Sequence, residues 1–203
     1  MSLSILIATV PERAKGFAAL YIELCRQAEP FGDSVELLSD ERPRANQPGG
    51  VSIGAKRNDL LKAATGAHVV FFDDDDWPMP TYIADIMAAL TTDPDCVGQL
   101  IKHTSDGRRA PDCVHSLRFK SWSQGPVRTP GFGMVYQRNV THRNPVRRTI
   151  ALQVGFPDLR WGEDQPYSDG VTALCKTEMM VTRPAFTYRF SSKEPHSVKY
   201  GIE

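Results

Sequence analysis

Four consecutive carboxylates, Asp73–Asp76, follow the apolar run His68–Phe72. Adjacent acids repel one another, and each raises the cost of ionising the next unless a cation or a donor neutralises them. Hard divalent ions such as Mg²⁺ or Mn²⁺ take oxygen ligands and are commonly shared with substrate phosphates. Four acids also exceed what capping the next helix needs, which weighs against a merely solvated turn. A second acidic pair, Glu163-Asp164, follows Trp161-Gly162. It reads either as ordinary first-turn acids of a helix or as a catalytic pair. The tryptophan beside it is either core or a stacking platform for a sugar or a base.

The elements that must hold these groups alternate. Leu3–Thr9 reads as a buried strand, ended by Pro11. Residues 15–27 place Phe17, Leu20, Tyr21 and Leu24 at helical spacing. Val35–Leu38 reads as a second strand, 41–50 as a loop, and Ser52 as the N-cap of a helix to about Ala64. His68–Phe72 is a third strand, Pro78–Leu90 a helix and Val97–His103 a fourth strand. In the second half, Val114–Lys120 and Gly133–Gln137 read as strands. Asn144-Pro145 reads as the cap of a helix to about Val154, Glu163–Lys176 as a helix, and Met179 onward as strands with a polar tail. Strand–helix alternation with short connections predicts an α/β fold, a mostly parallel sheet flanked by helices, in a single domain over 1–203. Ligands of such sheets bind outside the carboxyl ends of the strands. Thr9, Asp40 and Asp73–Asp76 all fall there.

Composition bounds the rest. The chain has 203 residues, 41% hydrophobic and 24% charged, as soluble globular proteins do. No apolar run is long enough to cross a bilayer, and the N-terminus lacks the features of a signal peptide, so a cytoplasmic protein is expected. Cys25, Cys96, Cys113 and Cys175 have no metal-ligand or disulfide-framework spacing. Net charge is zero but unevenly spread: −7 over 1–101, +8 over 102–148 and −1 over 149–203. Arginine outnumbers lysine eight to two in the basic segment, which favours phosphate or carboxylate recognition. Trp122, Phe132 and Tyr136 interleave with these cations, as in proteins that bind single strands or flipped bases. The opposite expectation is that the arginines pair with acids of the first half.

Several segments, in order, resemble family-two glycosyltransferases. Ser4–Arg13 is similar to the family's opening strand. Gly54-Ala55-Lys56-Arg57-Asn58 resembles its Ala-Arg-Asn helix. Ala64–Asp76 resembles its glycine turn and DxD signature, and Trp161-Gly162-Glu163-Asp164 its Glu-Asp motif, preceded by Gly155-Phe156-Pro157-Asp158. The resemblance covers about residues 3–175. It implies a Rossmann-like A-type glycosyltransferase fold, with a nucleotide-sugar half over about 1–101 and an acceptor and catalytic half over about 102–203.

It also implies site residues. Asp164 would be the general base of an inverting transfer, with Glu163 beside it. Thr9, Pro11, Arg13, Asp40, Lys56, Arg57, Asp73 and Asp74 would bind the nucleotide sugar, a UDP-sugar by family habit. Asp75 and His196 would hold a divalent metal, although without the resemblance His196 reads as a surface histidine rather than a ligand. Trp161, Arg138, Arg143, Arg147 and Arg148 would face an anionic acceptor. That acceptor is a hydroxylated base in DNA, which suits a phage enzyme in a host cytoplasm, or a cell-surface, phosphorylated or uronic-acid glycan. No obligate protein partner is implied. Lys56 and Asp40-Glu41-Arg42-Pro43 depart from the family pattern. Two rivals from other classes stand beside this reading. A metal-dependent phosphotransferase or nuclease lacks a nucleophilic aspartate at Thr9-Val10-Pro11, and a non-catalytic nucleotide-binding module would survive Asp164→Asn.

Overall fold

The computed structural model describes residues 1–190. Strand β1 (Leu3–Ala8) is buried along nearly its whole length, because Leu3, Ile5 and Ile7 point to one face of the sheet and Leu6 to the other. It pairs in parallel with β2 (Val35–Asp40) on one side and β3 (His68–Phe71) on the other. Helix α1 (Ala14–Ala28) lays Phe17, Leu20 and Leu24 on one face. Helix α3 (Tyr82–Leu90) packs Ile83 and Ile86 into the same core.

Helix α2 (Ile53–Ala63) covers the opposite face. It starts where predicted, with the Ser52 hydroxyl accepting from the Ala55 N–H at 2.9 Å. Its inward face changes character along its length. Leu60 and Leu61 bury against the sheet, while Lys56 and Arg57, one turn earlier, bury at the strand ends. An apolar second half thus carries a charged first half to the carboxyl ends of β1 and β3.

The second half of the chain is richer in strands than expected. β5 (Cys96–Ser105) pairs antiparallel with β6 (Arg108–His115), β6 in parallel with β8 (Gly133–Arg138), and β8 antiparallel with β7 (Val127–Thr129). The long β10 (Glu178–Phe190) runs parallel to β5 and meets β4 (Trp77–Pro78) antiparallel. That last pairing explains why α3 begins at Tyr82 rather than Pro78. The strand expected over Val114–Lys120 instead ends at His115.

A further correction concerns Asn144-Pro145. No helix starts there. Val146–Arg147 forms β9, inserted antiparallel between β3 and β5, and α4 (Arg148–Val154) follows it. The Asn144 amide is spent on the strands instead, donating to the Val97 carbonyl at 2.9 Å and accepting from the Thr141 N–H at 3.0 Å. Helix α5 (Asp164–Leu174) completes the second core with Tyr167 and Val171 against Phe71 and Phe156. The sheet order is β2-β1-β3-β9-β5-β6-β8-β7, with most paired residues in parallel ladders. No helix among the described residues is long and apolar enough to cross a membrane.

Candidate active site

One cleft opens at the carboxyl ends of β1 and β3. Thr9, Arg13, Lys56, Arg57 and Asp73–Asp75 line it from the first half, and Trp161, Gly162, Glu163 and Asp164 from the loop before α5. His142, Arg143 and Tyr188 close it from the second half.

At its floor lies a network of charges. Arg57 donates to Glu163 and, through Nη2, to Asp73 Oδ1 at 3.1 Å. Arg143 donates to Asp73 Oδ2 from Nε at 2.8 Å. His142 Nε2 stands 3.2 Å from Arg57 Nη2 and 3.5 Å from Asp73 Oδ1. Burial alone would raise the Asp73 carboxyl, but Arg143, His142 and Arg57 outweigh it and hold Asp73 well below the usual carboxylate range. Burial, reinforced by Arg57, lowers the His142 imidazole from its ordinary value in spite of Asp73. Both oxygens of Asp73 are therefore occupied by the protein's own cations.

Its neighbours differ. Asp74 accepts from the Thr9 hydroxyl at 2.6 Å and from Arg13. Burial raises its carboxyl in spite of Arg13. Asp76 is buried. Its Oδ2 has no hydrogen-bond partner among the described residues, with Arg143 Nη2 3.9 Å away. Burial, with Asp73 and Asp75 beside it, pushes Asp76 well above the usual range. Carboxylate oxygens of Asp73, Asp75 and Asp76 all lie within 4.8 Å of one another. A buried, unsatisfied carboxylate facing two more is a donor set that a hard divalent cation would satisfy, so the residues fit such an ion.

The loop before α5 is tied to α2. The Asn58 amide clamps Phe156, donating to its carbonyl at 2.7 Å and accepting from its N–H at 2.9 Å. The Gly54 N–H donates to the Leu159 carbonyl at 3.2 Å. A Cβ at Gly54 would stand 2.0 Å from the Pro157 carbonyl oxygen, so only glycine permits this approach. Gly162 has φ +79°, a left-handed turn that swings the chain from the exposed Trp161 to the buried Glu163. Burial raises the Glu163 carboxyl against the pull of Arg57. Asp164 is the first residue of α5 and lines the cleft.

The structure thus brings eleven sequence-predicted residues to one cleft: Thr9, Arg13, Lys56, Arg57, Asp73, Asp74, Asp75, Arg143, Trp161, Glu163 and Asp164. Lys56 is buried below the surface of the cleft, its Nζ donating to the carbonyls of Thr9 and Arg42, and burial lowers its pKa. Pro11 and Asp40 do not line the cleft. Pro11 opens a 3₁₀ turn before α1, and the Asp40 carboxylate is held by Arg42. Arg143 faces Asp73 rather than open solvent.

Arg147 and Arg148 need correction as acceptor-facing residues. β9 runs antiparallel to β3, which carries them to the amino end of that strand. There Arg147 pairs with Asp93 at 3.1 Å and Asp95 at 3.3 Å, and the Arg148 N–H donates to Ala67. Arg138 lies outside the cleft, between the rings of Trp122 and Tyr136. His196 falls outside the described residues. Sequence reasoning missed His142 and Tyr188. The first sits next to Arg143 in a basic stretch with no spacing signal, and the second arrives on β10 from far along the chain.

The family model described as glycosyl transferase family 2 matches residues 45–190. No curated protein sequence matches the chain. Among solved structures, S. aureus TarS 1-349 in complex with UDP-GlcNAc is similar, with a TM-score of 0.62 and 16% identity over 93% of this chain and 58% of that one. S. aureus TarS 1-349 in complex with UDP gives 0.60 and 17%, over 98% of this chain and 63% of that one. The chain therefore spans about three fifths of those structures, and at such identities the likeness is one of fold.

Proposed function

Because the chain belongs to glycosyl transferase family 2, we propose that it transfers a sugar from a nucleoside diphosphate sugar to a hydroxyl of an anionic acceptor, with inversion and with Mn²⁺ or Mg²⁺. The observation that carries this reading is the division of labour in the cleft. Glu163 is tied to Arg57, whereas its neighbour Asp164 lines the same cleft as Asp75. Asp164 is the base that takes the proton from the acceptor hydroxyl. Glu163, through Arg57, fixes the loop on which that base stands. Thr9, Arg13 and Asp74 form the wall against the donor, and Trp161 offers a ring to stack on a sugar or a base. Asp75 and Asp76 would hold the divalent cation beside Asp73, whose own oxygens answer Arg57 and Arg143, and such a cation would neutralise the departing diphosphate.

UDP is the first nucleotide to try, since the similar TarS structures are complexes with UDP and UDP-GlcNAc. For the acceptor, the net +8 of residues 102–148 supports an anion, and a hydroxylated base in DNA is the candidate we favour. The test is thermal shift with UDP and UDP-sugars, with and without Mn²⁺, followed by Asp164→Asn and Asp75→Ala. Asp164→Asn is expected to keep donor binding and lose about 10²–10⁴-fold in turnover. Retained turnover removes it from the base role. Asp75→Ala is expected to lose the Mn²⁺-dependent part of UDP binding, and an unchanged shift refutes the metal assignment.

A further inference from the structure

Rings and cations form a continuous path out of the cleft. Arg143, on the cleft wall, lies over the Tyr188 ring, 4.6 Å from guanidinium carbon to centroid. Tyr188 and His103 are register partners on β10 and β5, with ring centroids 5.4 Å apart and planes 30° from parallel. His103 meets Tyr136 of β8 edge to face, with centroids 6.0 Å apart and planes at 69°. Arg138, two residues along β8 and so on the same face, stands 5.3 Å from the Tyr136 ring and 4.9 Å from that of Trp122. All six side chains are at least partly exposed, with Trp122 at 38%. Trp122 is held in place, its Nε1 donating to Asn139 Oδ1 at 2.9 Å.

The surroundings are cationic and largely unanswered. Residues 102–148 hold ten basic and two acidic side chains. Arg118, Lys120 and Arg128 have no carboxylate within ion-pair distance among the described residues. A run of partly exposed rings, flanked by cations that meet no carboxylate among the described residues, suits a polymer that carries a π-face and a negative charge in every unit.

We infer that this path seats a single-stranded stretch of nucleic acid, whose bases stack along it, whose phosphates meet Arg118, Lys120 and Arg128, and whose hydroxylated base is led past Arg143 into the cleft. The inference rests on the glycosyl-transfer reading and deepens it by giving the acceptor a single-stranded form and a surface to lie on. A uronic-acid or phosphorylated glycan would meet the same cations but has no π-face to lay on the rings of the path.

Fluorescence anisotropy with a labelled single-stranded DNA of about 12 nucleotides, compared with its duplex between about 50 and 200 mM salt, tests the idea. The single strand is expected to bind more tightly, with affinity falling steeply as salt rises. Trp122→Ala and Tyr136→Ala should each weaken it about tenfold, and Trp122→Phe should restore most of the loss. Ring-free polyphosphate should compete poorly. Equal affinity for duplex or polyphosphate, unchanged affinity in Trp122→Ala, or preference for hyaluronate overturns the inference. Should Trp122→Ala not fold, Arg138→Gln and Arg128→Glu carry the same expectation of weakened binding. A parallel titration of the wild-type protein with UDP and Mn²⁺ separates the two levels. UDP binding without oligonucleotide binding sinks the path alone, whereas absence of UDP binding sinks the glycosyl-transfer reading beneath it.

Discussion

In the turn after β3, Asp73 and Asp74 are met by Arg57, His142, Arg143, Thr9 and Arg13. On the sheet surface around β7, Lys120 and Arg128 meet no carboxylate among the described residues. The chain has the same number of acidic and basic side chains, yet the two regions do not cancel each other. Among the described residues, Arg143 and Arg147 are the only arginines or lysines of the basic segment that pair with acids of the first half. The difference separates two uses of charge. Charge answered within the fold fixes the position of its neighbours. Charge left unanswered is available to a molecule from outside.

The largest test of that distinction is Asp73→Asn. The substitution removes the anion between Arg57 and Arg143, leaving one largely buried guanidinium to Glu163 and the other to the distant edge of Asp76. Removing one partner of a buried ion pair is costly because the other charge stays in place without solvent. Stability is expected to fall by about 2–4 kcal/mol, read as a shift in the denaturant midpoint with unchanged slope. A loss no larger than that of a surface substitution would mean that Asp73 is a ligand group and not a strut.

Much of this frame was readable from the chain because the first half obeys local rules. Apolar β1 and β3, the Ser52 cap and the polar strand ends each follow from neighbours within a few residues, and they put Thr9, Arg57 and Asp73–Asp75 together. The second half depends on partners far away. A two-residue strand such as β9 has no periodicity to detect, and Asn144-Pro145 has the local chemistry of a helix cap. Only the competition from Val97 and Thr141 for the Asn144 amide decides otherwise. Once β9 is missed, Arg147 and Arg148 are placed at the wrong end of the sheet. Tyr188 reaches the cleft only because β10 follows β5 through two irregularities near Pro184, which no short window reveals. Charge type was legible, but which arginine meets which acid was not, since pairing is a tertiary property.

A middle-sized effect comes from where the two regions meet. His142 faces Arg57, Asp73 and Arg143, and His115 lies near Arg143, Arg138 and His142 with its Nδ1 3.1 Å from the Thr141 hydroxyl. Burial first, then these arginines, push both imidazoles down, His115 well below 6.5. Burial lowers His68 and His103 as well. A histidine that binds protons more weakly folded than unfolded contributes stability that is whole above the unfolded value. It is lost as pH falls through that value toward the folded one. Each such group costs up to about 1.4 kcal/mol per pH unit in that window. The raised carboxyls of Asp76 and Glu163 act with the opposite sign, so the comparison must isolate the imidazole. The stability difference between wild type and His115→Gln, followed from pH 8 downward, is expected to shrink as pH drops below about 6.5. A difference that stays constant would show that neither burial nor the arginines lower the His115 imidazole in the folded chain.

The smallest effect is the most direct probe of unanswered charge. Lys120→Glu and Arg128→Glu reverse exposed cations with no carboxylate partner, so the fold has nothing to lose at either position except long-range repulsion already present among the basic residues. Their stability is expected to stay within about 0.5 kcal/mol of wild type, and to rise rather than fall at low salt. The sign is the informative part. A gain that disappears as salt is added identifies mutual repulsion among Arg118, Lys120 and Arg128, which the folded chain tolerates without internal compensation. A loss would mean that an acid of the first half reaches across the sheet to them, and the two regions would then be one balanced surface.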